Sequence, residues 1–321
     1  MEELKIEKKQ IKVIYNKSAG YLRGYFPLLK NIRLHDFKKF YIPKVKPHLW
    51  PQMITRSFHD LGNFQVRVVV IHNVYEARRE ARKSLIQKDY AIICVGGDGT
   101  LNQIANVIAR SNIILGIIPS GTVNSAALAL GIPINFEKAL KIMLDQNVRS
   151  IDLGKANGRY FINCLGVGMD AYVVRDIERS RWKKRCGVWG YILSVFKAFL
   201  FFKGRRIFVQ IGEKEKIFEV WGLIIGNMRY YAGEFILGEN HPARNFFYIL
   251  LLKKKKYFRY LFKLITGKLH QDKDVEVIKD SYIRFFSKEP VFYQLDGDLA
   301  GELPVTVLKE KKALRVFLPR N

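Results

Sequence analysis

Two glycine-bearing turns carry the residue types that could handle a phosphate. The first is VGGDGT, residues 95–100, which follows the apolar run 91–95. Glycines directly after a buried strand let the backbone come close to a ligand, and the N–H groups of the helix start that follows favour a phosphate. Asp98 sits awkwardly in such a turn, because a carboxylate repels that ligand. Three chemistries resolve the conflict. A magnesium ion could lie between carboxylate and phosphate, Asp98 could accept a proton from an attacking hydroxyl, or it could touch no ligand and cap a helix. The second turn, Ile118-Pro119-Ser120-Gly121-Thr122-Val123-Asn124, again follows an apolar strand and precedes a helix. The hydroxyls of Ser120 and Thr122 and the amide of Asn124 can bond to a nucleotide or fix the helix start. Asn16 and Ser18 end another short strand at the same edge. Open α/β sheets bind ligands at the carboxyl ends of their strands, so these turns are expected to line one nucleotide-phosphate site.

For the turns to meet, strands of one parallel sheet must present them. Residues 12–16, 66–72, 91–95 and 113–118 read as apolar strands, and 75–88, rich in Glu, Ala and Arg, reads as a helix. Helices follow both glycine turns, the second ending at Gly131-Ile132-Pro133. Strands separated by helices predict a parallel α/β layer. A basic and aromatic stretch over 30–51 interrupts it, and prolines at 43, 47 and 51 forbid one long helix there. After about Arg149 the texture becomes β-rich. Asn157-Gly158 is a hairpin signal, and runs at 208–211, 221–225, 247–252, 282–286 and 305–308 read as strands, with helical interruptions over 170–202 and 257–264. The expected division is an α/β nucleotide-binding domain over 1–148 and a β-rich domain over 149–321.

Composition narrows the classes. Of 321 residues, 49% are hydrophobic and 26% charged, which supports a packed core and excludes disordered or low-complexity chains. Three cysteines without metal-ligand spacing exclude a disulfide scaffold or a structural zinc site. No secretory signal is visible at the amino terminus. The longest apolar run, 188–202, is shorter than the roughly 20 residues that span a bilayer. A soluble, reduced, intracellular protein is expected. The net charge is +26, from 55 Lys and Arg against 29 Asp and Glu. Two basic clusters border apolar and aromatic stretches: Arg175, Arg179, Arg181, Lys183, Lys184 and Arg185 before 189–202, and Lys253, Lys254, Lys255 and Lys256 before 257–262, with Lys263 following. That mixture suits an anionic membrane surface, and the stretch 38–50 could add to it. The bland alternative is a solvated helix face. Nucleic acid would also explain the charge, but no zinc module, RNP-like strand or helix-turn-helix accompanies it, so no nucleic-acid partner is expected.

The chain resembles the diacylglycerol kinase catalytic family, which includes bacterial soluble lipid kinases and the sphingosine kinases. The resemblance rests on Asn16-Lys17-Ser18-Ala19-Gly20, GGDGTLNQ, PSGTVNS and Leu295-Asp296-Gly297-Asp298, in that order. It extends through Phe161-Ile162-Asn163, Gly168-Met169-Asp170-Ala171, Gly226-Asn227 and the closing residues 314–319. It implies an ATP- and magnesium-dependent kinase acting on a lipid hydroxyl. The implied fold is an NAD kinase- or phosphofructokinase-like α/β domain followed by a β-sandwich domain, with catalysis in the cleft between them. By the resemblance, Asp98 works with the magnesium-nucleotide complex, and Gly96, Gly97, Gly99, Thr100, Ser120, Gly121 and Thr122 cradle phosphates. Asn16 and Asn124 line the nucleotide pocket. Asp298 takes the proton of the lipid hydroxyl, and Asp170 either faces the lipid head group or caps a helix. Asp296 shapes the turn that presents Asp298. Cytoplasmic residence with peripheral binding to the inner membrane face follows.

Four positions depart from the family pattern. Gln103 stands where the family usually has Glu, and Ser125 where it often has Asp, a change shared by sphingosine kinases. Asn245-Phe246 replaces an Asp-Gly pair linked to a structural magnesium in some bacterial members, and Asp298 closes a motif that usually ends in Glu. Two alternatives therefore stand beside the lipid kinase: a weak or inactive relative that binds nucleotide or lipid, and a soluble kinase of the NAD type.

Overall fold

Runs of Ile and Val buried on both faces build the first part of the molecule. In the computed structural model, residues 8–19, 46–121, 123–180, 188–211, 217–228, 230–231, 235–236 and 245–320 are described. They divide into two units, residues 1–151 with 312–321, and residues 152–311. In the first unit, β1 (Lys9–Asn16), β2 (Phe64–Ile71), β3 (Ala91–Gly96) and β4 (Ile114–Pro119) form a parallel sheet in the order β2-β1-β3-β4. Every residue of β3 and β4 is buried, as expected of central parallel strands covered on both sides. The end of the chain joins this sheet, with Arg315 opposite Ile114 and Val316 opposite Leu115 in parallel register.

Among the described residues of this unit the α-helices are α1 (Trp50–His59), α2 (Val74–Gln87), α3 (Asp98–Ile108), α4 (Ser125–Ala129) and α5 (Phe136–Leu144). Helix α1 is not foreseen from the sequence pattern. Pro51 lies in its first turn, where a missing N–H costs nothing, so a proline that forbids a longer helix also helps start this one. Trp50 is buried and stacks on Phe136, with ring centroids 4.7 Å apart. The aromatic end of the 38–50 stretch is therefore core, and residues 38–45 lie outside the described residues.

The second unit is antiparallel. Its strands are β5 (Val148–Ala156, entering from the first unit), β6 (Arg159–Phe161), β7 (Cys164–Val167), β8 (Ile207–Ile211), β9 (Ile217–Val220), β10 (Gly222–Gly226), β11 (Tyr230–Tyr231), β12 (Phe235–Ile236), β13 (Phe247–Leu252), β14 (Val275–Asp280), β15 (Tyr282–Phe286), β16 (Phe292–Leu295), β17 (Asp298–Glu302) and β18 (Val305–Phe317). The hairpin β5–β6 turns at Asn157 and Gly158, both at positive φ. One sheet runs β18-β15-β8-β9, with β5 also paired to β18, and the other runs β14-β13-β10-β7-β16-β17. Leu165, Val209, Leu223, Ile249, Phe285 and Val307 from these sheets share one core, giving the sandwich expected of this half. Strand β13 is buried at all six positions. Phe247, Ile249 and Leu251 face that core, whereas Tyr248, Leu250 and Leu252 face a second cluster. The second cluster includes Tyr260 and Leu264 of α8 (Tyr257–Ile265). Helices α6 (Met169–Arg179) and α7 (Val188–Phe201) pack on each other within this unit.

Lys309 on β18 is buried, donates to the carbonyl of Phe246 at 3.2 Å and lies 5.1 Å from the ring centre of Phe247. Burial pushes its pKa down to about 8, with the Asp152 carboxylate pulling the other way. An unfolded lysine titrates near 10.4, so between pH 8 and 10 the unfolded chain binds more protons here and stability rises with pH. Urea unfolding should show a gain of roughly 2 kcal/mol over that window relative to Lys309→Met. Parallel pH profiles for the two proteins would exclude this.

Candidate active site

Strands β1, β3 and β4 end in three turns that the side chains tie together. Asn16, buried at the end of β1, donates from Nδ2 to Thr100 Oγ1 at 2.8 Å and accepts from the Ser18 N–H at 2.9 Å. Asn124 is left-handed at φ 56° and closes on Gly121. Its Oδ1 accepts from the Gly121 N–H and its Nδ2 donates to the Gly121 carbonyl, each at 2.8 Å. The Ser120 N–H reaches the Gly96 carbonyl at 2.9 Å. Between the two glycine turns the backbones touch. A Cβ on Gly97 would lie 2.8 Å from Gly121 Cα, and one on Gly121 would lie 2.5 Å from Gly97 Cα. A Cβ on Gly96 would crowd the Thr100 side chain at 2.9 Å. These glycines serve the close packing of one turn on the other.

Asp98 belongs to the same lattice of bonds. Its Oδ2 accepts from the Ser125 N–H at 3.0 Å and its Oδ1 from the Ala126 N–H at 3.1 Å. Burial pushes its pKa up, against the backbone N–H groups of Ala126, Ser125 and Asn124, which favour the carboxylate. The helix-capping chemistry is thus what the geometry displays, across 27 residues of sequence. It also separates the two helix starts. Helix α4 has five residues and its first N–H groups go to Asp98. Helix α3 has eleven residues, Gly97 at its N-cap and no side-chain cap, so its first-turn donors point where a phosphate would be held.

This arrangement fits a nucleotide phosphate at the start of α3. It does not fit a metal caged by protein ligands. Among the described residues no three His, Cys, Asp or Glu side chains gather closely enough to hold an ion, and both oxygens of Asp98 carry backbone hydrogen bonds. Magnesium that arrives on phosphates with its waters needs only one or two carboxylates. Ser18 is half-buried, and Ser120 Oγ is buried without a hydrogen-bond partner among the described residues. Thr122 and Gly20 lie outside the described residues. The glycines make a direct test. Gly121→Ala should cost about 1–3 kcal/mol, because backbone must move to admit the methyl. Gly99→Ala meets nothing nearer than Val74 Cγ1 at 3.7 Å. It should leave the melting temperature unchanged or higher, yet weaken ATP binding at least about tenfold by blocking the phosphate's approach. Unimpaired ATP binding by a stable Gly99→Ala protein would move the phosphate elsewhere.

In the second unit, Asp298 begins β17 with its side chain 40% exposed and pairs with Arg159 Nη2 at 3.2 Å. The turn before it is over-determined. Asp296, at φ 51°, accepts from the N–H groups of Ile162 at 2.6 Å, Asn163 at 2.8 Å and Cys164 at 2.9 Å. Gln294, almost wholly buried, accepts from the Gly297 N–H at 2.7 Å and donates to Asp170 Oδ2 at 2.6 Å. Asp170 lies in the first turn of α6, one residue inside the helix, where a negative charge suits the dipole. It sits against Gly166, where a Cβ would fall 1.7 Å from Asp170 Oδ2. Asp170 and the turn bearing Asp298 are therefore linked through Gln294. Neither Gln294 nor Arg159 stands out in the sequence. Their one signal is position, two residues before Asp296 and directly after the Asn157-Gly158 turn.

Of the departing positions, Ser125 gives its N–H to Asp98, and Gln103 is half-buried on α3. Asn245 is exposed, and two cations lie beside its neighbour Phe246: Lys309 donates to its carbonyl at 3.2 Å and Lys279 stands 5.5 Å from its ring centre.

Two family models divide the chain. The diacylglycerol kinase catalytic domain matches residues 46–156, and the YegS C-terminal NAD kinase beta sandwich-like domain matches residues 163–318. The chain belongs to the diacylglycerol kinase catalytic domain family with a YegS-type C-terminal domain, a family of lipid kinase enzymes. The diacylglycerol kinase of Staphylococcus saprophyticus is 28% identical over 266 residues, 81% of this chain and 87% of that protein. The diacylglycerol kinase of Staphylococcus carnosus is 25% identical over 98% of this chain and 96% of its own length. A diacylglycerol kinase crystal structure from Bacillus anthracis str. Sterne superposes with a TM-score of 0.69 at 19% identity, over 99% of this chain and 98% of that one. A second from the same strain reaches 0.74 at 21% identity over 99% of each. At that identity the structural likeness speaks for the fold.

Proposed function

We propose that this chain transfers the γ-phosphoryl group of ATP to the hydroxyl of a membrane lipid, diacylglycerol or another long-chain alcohol, at an anionic membrane surface. The observation that carries the reading is the division between the helix starts: Asp98 consumes the donors of α4 and leaves those of α3 for phosphate. Thr100, held by Asn16, and the abutting glycines keep that start in place. Magnesium bound on the phosphates would supply charge neutralisation, and Asp98 would be the side chain that helps hold it. Asp298 takes the proton from the lipid hydroxyl as its oxygen bonds to the γ-phosphorus and the bond to ADP breaks. Arg159 orients that carboxylate. Asp170, joined to the same turn by Gln294, faces the acceptor.

The test is transfer of labelled γ-phosphate from Mg-ATP to a panel of lipids in anionic vesicles, with NAD as a soluble acceptor beside them. A labelled lipid is expected from the wild type, and Asp298→Ala should lower its rate by about 10²–10⁴. ATP binding without any labelled lipid would favour a nucleotide-binding regulator, and labelled NADP a soluble kinase.

A further inference from the structure

Helix α8 has two faces of different kinds. Tyr260 and Leu264 are 3% and 8% exposed and pack into the cluster behind β13. Phe258 and Phe262, one turn apart, are 75% and 63% exposed. Two phenyl rings so largely exposed are costly to keep. The segment around them is strongly basic. Residues 253–276 hold eight Lys and Arg against three carboxylates. All three carboxylates are used inside the unit. Asp272 pairs with Arg259 and with Lys263 at 3.2 Å. Asp274 pairs with Arg259, with Lys254 at 3.2 Å and with Lys256 at 3.1 Å, and Glu276 pairs with Lys253 at 2.6 Å. Burial works to raise the Asp274 pKa, and the hydrogen bonds from Lys256, Lys254 and Arg259 outweigh it and hold the carboxyl ionised. The helix is thus fastened at both ends while the segment keeps a positive surplus. Lys255 spreads over the Trp221 ring at 4.0 Å.

We propose that this face of α8 is the membrane anchor of the protein, with Phe258 and Phe262 entering the acyl boundary of an anionic bilayer and the surrounding lysines meeting its headgroups. Exposed rings in a segment with surplus cations match a surface that is negative outside and apolar just beneath, and no acidic residue on the helix opposes it. The proposal rests on the lipid-kinase reading for its purpose, but its test does not.

The full chain should be sedimented with vesicles of phosphatidylcholine containing phosphatidylglycerol, and with phosphatidylcholine alone. Wild type should bind the anionic vesicles and lose them as salt rises. Phe258→Ser with Phe262→Ser should weaken binding at least about tenfold with little change in melting temperature, since most of each ring's surface is exposed. Lys255→Glu with Lys268→Glu should weaken it about as much on anionic vesicles only. Wild type that ignores anionic vesicles, or a serine pair that binds like wild type, overturns the anchor. So does a dimer that the serine pair disperses without loss of vesicle binding. Vesicle binding lost in the serine pair, in a protein that phosphorylates no lipid, leaves the anchor standing and removes the kinase reading.

Discussion

Asp98→Asn should lower stability and phosphoryl transfer together, whereas Asp298→Asn should lower transfer alone. The difference follows from what each carboxylate touches. Asp98, half-buried, accepts from the Ser125 N–H on one oxygen and from the Ala126 N–H on the other. An asparagine can accept one of these bonds and must turn its own NH₂ towards the other donor. Losing a helix cap costs about 1 kcal/mol, and leaving a buried donor unsatisfied adds about 1–3 kcal/mol. Urea unfolding should therefore report a loss of about 2–4 kcal/mol. The second glycine turn, held against Gly97 within contact distance, shifts with its helix, and turnover should fall at least a hundredfold. Asp298 is 40% exposed, and its pair with Arg159 is a surface contact, worth about 1 kcal/mol or less. Its loss should leave the unfolding curve almost in place while removing the proton acceptor. An Asp98→Asn protein of wild-type stability with lost turnover would assign the carboxylate to the ligand and take the helix cap out of its role.

The strands were the most legible part of the chain, and for a physical reason. An apolar run such as Ala91–Gly96, followed by glycine and a helix, can be satisfied only between other strands, and Asn157-Gly158 announces its hairpin locally. Polar residues at strand ends were legible as a group, because the carboxyl edge of a parallel sheet is where such side chains gather. Which of them would face a ligand was not. Asn16 is satisfied by Thr100, 84 residues away, and Asp98 by Ser125, 27 residues away. Nothing in the local pattern says whether an amide reaches outward or across to the next turn. Asn124 shows the same limit, since a reciprocal bond to Gly121 three residues back uses both ends of its amide. Helix α1 was hidden by Pro51 and the prolines before it, since a proline's effect depends on whether it falls at a helix start or within it. The parallel pairing of the closing strand with β4 is a contact between residues some 200 apart. Arg159 and Gln294 acquire their meaning only from the turn they hold.

That turn carries the other large expected effect. Asp296→Ala removes the acceptor of three backbone N–H groups at once, those of Ile162, Asn163 and Cys164. A hydrogen bond to a charged group contributes about 1.5–3 kcal/mol. Three that share one carboxylate do not add fully, which puts the loss at roughly 4 kcal/mol. Asp296 also holds a left-handed conformation, followed by Gly297 at φ 87°. Such a pair persists only where its surroundings over-determine it, and the carboxylate is the principal constraint. With the constraint gone, Asp298 loses its place two residues on. Transfer should fall as far as in Asp298→Ala, but with a collapsed unfolding midpoint where Asp298→Ala keeps its own. Gln294→Ala separates placement from folding. It breaks the link from the Gly297 N–H to Asp170 and leaves the three bonds to Asp296 intact. Turnover should drop about tenfold or more, a lesser loss than either aspartate variant causes. Nucleotide binding, proposed for the start of α3 in the first unit, should be unaltered. If Asp296→Ala unfolds like wild type and still transfers phosphate, Asp296 does not position the base, and the role proposed for Asp298 stands or falls with Asp298→Ala alone.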